Sequence, residues 1–326
     1  MLITRTPLRI SIGGGGTDLP SYYRSNGAMV ISAAINKYVF ISVNRTFVHD
    51  YFIKYSALER AEAVDDIEHP LVREALRVTG VGPGVEIVSM ADIPAGTGLG
   101  SSGTFTVGLL RALYAYRREH ITAANLAEEA CRIEIDRLGN PVGKQDQYIA
   151  AFGGLTCFDF HPDDSVSVSP LAVSTATLHD LEEHLLLFFT GYARSASDVL
   201  QEQVTRSQAR DRDMLDSLRF TDQLGRKIKT ALENGDTWQF GALMHEHWEH
   251  KRTRSTSMSN DDIDRWYAVG RRNGALGGKL VGAGAGGFLL FYAQDPDAVR
   301  RAMAAEGLEE VRFAFDHDGS SVLFRD

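Results

Sequence analysis

Short apolar runs dominate the first half of the chain. Leu8 to Ile12 reads as a strand running into Gly13-Gly14-Gly15-Gly16, and Ala28 to Ile35, Tyr38 to Val43 and Tyr51 to Tyr55 read as further strands. All are rich in β-branched and aromatic residues and bounded by Gly, Asn and Asp. Pro70 to Val78 is helical in pattern and stops at Gly80, and Val85 to Met90 is another strand. From Thr104 to Tyr116, Phe105, Leu109, Leu110 and Leu113 recur at helical spacing. Thr122 is a cap for a helix running to Leu138, stopped by Gly139 and Pro141. Leu155 to Phe160 closes this half as a strand.

The polar stretch from His161 to Thr177 is the candidate boundary, dividing the chain into units at 1–170 and 171–326. Beyond it Leu185 to Phe189 is a strand, followed by helical patterns over Ser197 to Glu233, Thr237 to Arg252 and Asp261 to Arg272. Phe288 to Tyr292, a helix over Pro296 to Ala305 and Val311 to Phe315 complete the pattern. Strands in both halves, with most of the helix in the second, make the fold α+β.

Composition narrows the function classes. The 326 residues are 44% hydrophobic and 24% charged, with a net charge of -9, which argues against a general affinity for nucleic acid or anionic membranes. Apolar runs are strand-sized, short of the roughly 20 residues that span a bilayer. Met1 to Arg5 lacks the basic and apolar stretches of a signal peptide, so a cytoplasmic protein is expected. Cys131 and Cys157 are expected as small buried hydrophobes.

Three glycine clusters carry the candidate chemistry: Gly13 to Gly16, Pro94-Ala95-Gly96-Thr97-Gly98-Leu99-Gly100-Ser101-Ser102, and Gly282 to Gly287. Glycine lets backbone N–H groups crowd an anion. The middle cluster lies between a strand and a helix, where phosphate would meet the orphan N–H groups of a helix N-terminus, with Ser101 and Ser102 adding hydroxyls. Gly98 to Gly103 fits G-x-G-x-x-G, but a second helix follows where a dinucleotide-binding unit needs a strand. Gly274 to Lys279 resembles a P-loop but has Leu280 where Ser or Thr is required. Phosphate binding here follows neither scheme.

Several charged residues stand in unusual places. Glu134 is the only charge on the stripe Ala127, Cys131, Glu134, Leu138, either as a metal or buried carboxylate or as a rim residue paired with Arg137 or Arg111. Asp146 follows the helix stop, with Lys144 close by to hold it ionised, and Asp18 follows the first glycine cluster. Arg9, on the strand feeding that cluster, offers a fixed cation. His245-Glu246-His247-Trp248-Glu249-His250 lacks zinc-protease spacing and reads as a polar helix surface or substrate rim.

Pro7-Leu8-Arg9 leading into Gly-Gly-Thr-Asp, Pro94 to Ser102 as P-x-x-x-G-L-G-S-S, and Lys279 to Gly287 as K-L-x-G-A-G-x-G-G resemble the three motifs of the GHMP kinases. Gly143 to Tyr148, Thr190-Gly191 with Arg194-Ser195-Ala196, and His245 to Trp248 are similar to the D-glycero-D-manno-heptose 7-phosphate kinases within that superfamily. The resemblance implies a GHMP kinase fold, with an N-terminal ATP-binding domain like ribosomal protein S5 domain 2 and a ferredoxin-like C-terminal domain. It implies ATP in the loop of Pro94, Gly96, Thr97, Gly98, Leu99, Gly100, Ser101 and Ser102, and Mg²⁺ held by Ser102 and Glu134. Asp146 matches the acid that accepts the substrate proton, and Arg9 takes the place of the basic residue beside it. Gly15, Gly16, Thr17 and Asp18, with Gly284 of the third motif, are the residues expected to face the sugar. Arg194, Lys251 and Lys279 are the cations for a sugar phosphate, Arg194 foremost. Gly103 departs from the family, which often has Ser or Ala there.

The expected reaction is phosphorylation of the anomeric C1 hydroxyl of heptose 7-phosphate to the 1,7-bisphosphate. A kinase for fucose, galactose or unphosphorylated heptose remains open at this point, as does a non-catalytic sugar-binding module, and so does a homodimer.

Overall fold

The computed structural model describes residues 1–191, 197–254, 258–282, 284 and 286–326. Arg194 lies outside the described residues. The first half runs β1 (Leu2–Gly13), α1 (Pro20–Asn26), β2 (Ala28–Arg45), β3 (Tyr51–Lys54), β4 (Leu58–Ala61), α2 (Pro70–Thr79) and β5 (Val85–Ala91). It continues with α3 (Ser101–Tyr116), α4 (Ala123–Cys131), α5 (Gln145–Phe152), β6 (Leu155–Phe160) and β7 (Val166–Pro170). The second half contains α6 (Thr175–His184), β8 (Leu185–Phe189), α7 (Ser197–Gln208), α8 (Arg212–Glu233), α9 (Thr237–Arg252) and α10 (Asp261–Arg272). It ends with β9 (Ala275–Leu280), β10 (Phe288–Ala293), α11 (Pro296–Ala305), β11 (Glu309–Glu310) and β12 (Ser321–Arg325).

The two runs read as separate strands, Ala28 to Ile35 and Tyr38 to Val43, are one long strand. β2 changes partner along its length: residues 28–33 pair with β6 and residues 39–45 with β5. The first sheet orders β12-β1-β2-β5-β3-β4, with β6 and β7 branching from β2. The chain therefore returns to its beginning, because β12 pairs antiparallel with β1. A division at residues 170 and 171 leaves this last strand on the far side of the boundary from its sheet.

The second sheet orders β11-β8-β10-β9. It explains why Leu185 to Phe189 and Phe288 to Tyr292 are continuously apolar rather than alternating. Leu185, Leu187, Phe288 and Leu290 join the large core shared with the first sheet, and Leu186, Phe188, Leu289 and Phe291 pack in a separate core with Trp248, Trp266 and Met303. Both faces are covered, so both parities must be apolar.

Several expectations need correction. The helical pattern from Ser197 to Glu233 is two helices, broken where Arg210 takes a left-handed φ of 55°. Val311 to Phe315 is not a strand; the strand there is Glu309–Glu310. The structure adds α5, β9 and β12, which the apolar pattern does not predict. Cys131 and Cys157 are buried and free. Among the described residues, no helix is long and apolar enough to cross a membrane.

Candidate active site

One cavity of about 710 Å³ opens where β1, the loop before α3, the start of α5, the end of α9 and the glycine segment after β9 converge. Gly96, Gly98 and Gly100 line it, all with φ near +80°. The residues between them turn inward: Thr97 and Leu99 are buried, and Thr97 Oγ1 donates to Pro94 O at 3.0 Å. Pro94, Thr97 and Leu99 thus shape the loop from behind, leaving the glycines on the cavity wall. No side chain caps α3, so the N–H groups of its first turn face the cavity beside Ser101 and Ser102 without a capping acceptor. A Cβ on Gly98 would stand 2.7 Å from Val281 O, so the loop packs against the third glycine cluster without room for a side chain. Tyr55, His69, Met90, Ile93 and Phe105 give another stretch of the wall its mainly apolar lining.

Arg9 and Asp146, 137 residues apart, form a two-point pair. Arg9 Nε donates to Asp146 Oδ1 at 2.7 Å and Nη2 to Oδ2 at 2.9 Å. The register of β1 fixes Arg9, whose own N–H donates to Leu99 O at 3.0 Å. Asp146 sits in the first turn of α5, where the helix dipole favours a carboxylate. Lys144 does not hold Asp146, contrary to expectation. Its Nζ binds Glu128 at 2.9 Å and Asp164 O at 3.2 Å.

Glu134 is fully buried, on a π-helical turn (Arg132–Arg137) that continues α4. Such turns concentrate at functional sites because the extra residue re-aims a side chain. Glu134 accepts from Ser102 Oγ at 2.5 Å and Gln147 Nε2 at 2.9 Å. The rim alternative fails: Arg137 pairs with Glu74 and Arg111 donates to Ile121 O. Burial pushes the Glu134 carboxyl up, opposed by the hydrogen bonds from Ser102 and Gln147.

Asp18 is buried, accepting from Gly16 N at 3.1 Å, Gln145 N at 3.0 Å and Gln145 Nε2 at 3.3 Å. Burial pushes its carboxyl up to about 6, with Asp146 adding to the rise. A Cβ on Gly143 would overlap Asp18 Oδ2, which is why the segment before α5 needs a glycine there. Gly15 and Gly16 line the cavity, whereas Thr17 is buried and donates to Gly14 O at 2.7 Å. Gly284, Lys251 and Lys279 also line it.

Sequence reasoning did not single out several polar residues of this wall, among them Gln145, Gln203 and Arg254, and it placed His247 only within a segment read as polar surface or substrate rim. Gln145 stands next to Asp146, and Arg254 lies three residues past Lys251, so a spacing signal existed for both. The His-rich segment is not a polar surface throughout. His247 is buried, His245 Nδ1 lies 2.8 Å from Tyr267 Oη, and the His250 ring packs at a tilt against Phe220, centroids 4.1 Å apart. Among the described residues, no group of three or more His, Cys, Asp or Glu could hold a metal.

The chain matches the family model for the GHMP kinases N terminal domain over residues 65–154 and that for the GHMP kinases C terminal over residues 228–309. It is 30% identical to the D-glycero-alpha-D-manno-heptose 7-phosphate kinase of Campylobacter jejuni, over 90% of this chain and 89% of that one. It is 27% identical to the bifunctional fucokinase/GDP-fucose pyrophosphorylase of Arabidopsis thaliana, over 90% of this chain and 30% of that one. The crystal structure of a D-glycero-D-manno-heptose 1-phosphate kinase from Bacteroides thetaiotaomicron matches with a TM-score of 0.81 at 25% identity, over 100% of both chains.

Proposed function

The chain belongs to the GHMP kinases, and on that premise we propose that it transfers the γ-phosphoryl group of ATP to the anomeric C1 hydroxyl of D-glycero-D-manno-heptose 7-phosphate, giving the 1,7-bisphosphate. It has the α+β fold of that family and is an ATP-dependent sugar kinase. The heptose, its 7-phosphate, the C1 position and a cytoplasmic setting are the finer reading.

One observation carries it. The Arg9–Asp146 pair lies on the wall of a single cavity that also takes in the glycine loop before α3 and Asp18. Phosphoryl transfer asks mainly for positioning and charge stabilisation, and this arrangement supplies both. In this reading, Gly96, Gly98, Gly100 and the first turn of α3 bind the phosphates, with Pro94, Thr97 and Leu99 holding the loop. Gly15, Gly16 and Asp18 with Gly284 place the sugar, Thr17 holds the turn from behind, and Asp18 accepts from the sugar hydroxyls. The C1 oxygen bonds to the γ-phosphorus as the bond to ADP breaks, and Asp146 takes the hydroxyl proton. Arg9 keeps that carboxylate oriented and offsets charge between donor and acceptor. An anomeric hydroxyl is more acidic than an ordinary alcohol, so a modest base suffices.

The residues present also fit a divalent cation. Glu134 is a buried carboxylate with no cationic partner among the described residues, it touches Ser102 beside the phosphate loop, and Gln147 Oε1 is a buried acceptor without a partner. Mg²⁺ uses few protein ligands and takes its others from phosphate and water. Ser102 and Glu134 would hold it, and it would neutralise phosphate charge.

A coupled assay of ATP consumption tests the reading with heptose 7-phosphate against heptose, fucose, galactose and mannose. Highest kcat/KM for the 7-phosphate is the expected result. A preference for an unphosphorylated sugar overturns the assignment.

A further inference from the structure

His247 and Lys251 fall at i and i+4 on the last turns of α9, and Arg254 stands two residues past its end, its N–H donating to Lys251 O at 3.1 Å. With Lys279 of β9 they line the cavity, and all four are buried, from 2% exposed at His247 and Lys279 to 9% at Arg254. Among the described residues, none of the three cations is in an ion pair. Both ring nitrogens of His247 are without a hydrogen-bond partner. The contrast with Arg252, beside Lys251 in sequence, is sharp: Arg252 pairs with Glu249 at 3.2 Å and Asp264 at 3.4 Å outside the cavity.

A buried cation without a counter-charge is costly, and three around one space are costlier still. Burial and the Arg9 guanidinium push the Lys279 ammonium down to about 7, and burial lowers Arg254 to about 10. Such an arrangement persists where a ligand brings the missing negative charge. The side chains are also pre-oriented. Lys251 Nζ donates to Leu280 O at 3.1 Å and Gly282 O at 2.6 Å, and Lys279 Nζ to Ile12 O at 3.0 Å. Each ammonium keeps at least one donor over. Arg254 is anchored by Ser217 at 3.0 Å and Thr221 at 2.6 Å. Its Nη1 lies 3.4 Å from where a Cβ on Gly16 would stand. That puts the guanidinium at the Gly16–Asp18 segment.

We infer that His247, Lys251, Arg254 and Lys279 form a subsite for a phosphate dianion carried by the acceptor sugar, with Arg254 as the group that selects phosphorylated over unphosphorylated acceptors. The inference rests on the sugar-kinase reading and deepens it. It moves the selecting guanidinium from Arg194 to Arg254.

Isothermal titration with inorganic phosphate, on the full chain without nucleotide, tests the subsite apart from turnover. Wild type should bind phosphate, and Arg254→Met should weaken binding about tenfold or more, the loss of a charge-assisted hydrogen bond. Arg254→Met should raise KM for the phosphorylated sugar by a similar factor and leave KM for ATP within about twofold. Arg252→Met, the control, should change neither. His247→Leu adds a readout should Arg254→Met fail to fold. It removes an unpaired buried ring, so the empty protein should melt at a higher temperature while phosphate binding weakens. A rise in KM for ATP alone makes these residues a nucleotide-phosphate site and overturns the inference. So does phosphate binding that survives both substitutions. Loss of the kinase reading looks different: no sugar is turned over, yet phosphate still binds through Arg254.

Discussion

A Cβ on Gly103 would stand 2.8 Å from Asp146 Cβ and 3.1 Å from Gln147 N. The first turn of α3 therefore presses directly on the first turn of α5, and the absence of a side chain at 103 is what lets Asp146 reach Arg9. This accounts physically for a glycine at position 103.

Gly103→Ala should push Asp146 away from Arg9. We expect kcat to fall on the order of 10- to 100-fold, the range a displacement near 1 Å produces. Overpacking should cost about 1–3 kcal/mol in unfolding free energy. Steady-state kinetics with chemical denaturation checks both, and wild-type kcat would separate Asp146 from the contact.

Asp146→Asn keeps the shape and removes the basic carboxylate. Turnover should fall about 10²-fold or more, the usual contribution of a general base. KM for ATP should stay near its wild-type value. Because Arg9 is only 4% exposed and loses its counter-charge, the melting temperature should fall as well. An unchanged kcat would remove Asp146 from its role.

Glu134→Gln tests the divalent cation. The Mg²⁺ concentration for half-maximal activity should rise, since Mg²⁺ prefers charged oxygen ligands. The same change lifts the burial penalty on the carboxylate. A titration of activity against Mg²⁺ that leaves the midpoint unmoved would confine Glu134 to tying Ser102 to Gln147.

Asp18 makes the site sensitive to acid. With a folded pKa near 6 against an ordinary 3.8, the native chain holds more protons than the unfolded chain between those values. This group's contribution to stability therefore falls as pH rises from about 4 to 6, by on the order of 3 kcal/mol. Activity should run the other way. Below pH 6 Asp18 gains a proton and loses acceptor capacity, so kcat/KM for the sugar should decline, and Asp18→Asn should abolish that inflection. An acid limb unchanged in the variant would assign it elsewhere.

The sequence by itself determined the elements whose local chemistry agrees with their tertiary setting. Thr122 caps α4, Gly80 ends α2, and Asn273 follows α10, because caps and helical spacing act over a few residues. The glycine-rich loop before α3 was legible for the same reason: a strand, alternating glycines and a helix start are contiguous. Only tertiary structure decided where separated polar residues meet. Arg9 meets Asp146 because β1 runs beside the start of α5, and Glu134 meets Ser102 because a π turn rotates it inward. β12 is short and largely exposed, so its pairing with β1 owes little to an apolar signal of its own. His247 and Arg254 were the least legible. A histidine on a helix or an arginine just past its end carries no local mark of burial, and it becomes part of a site only when other elements fold over it and leave a cavity between them.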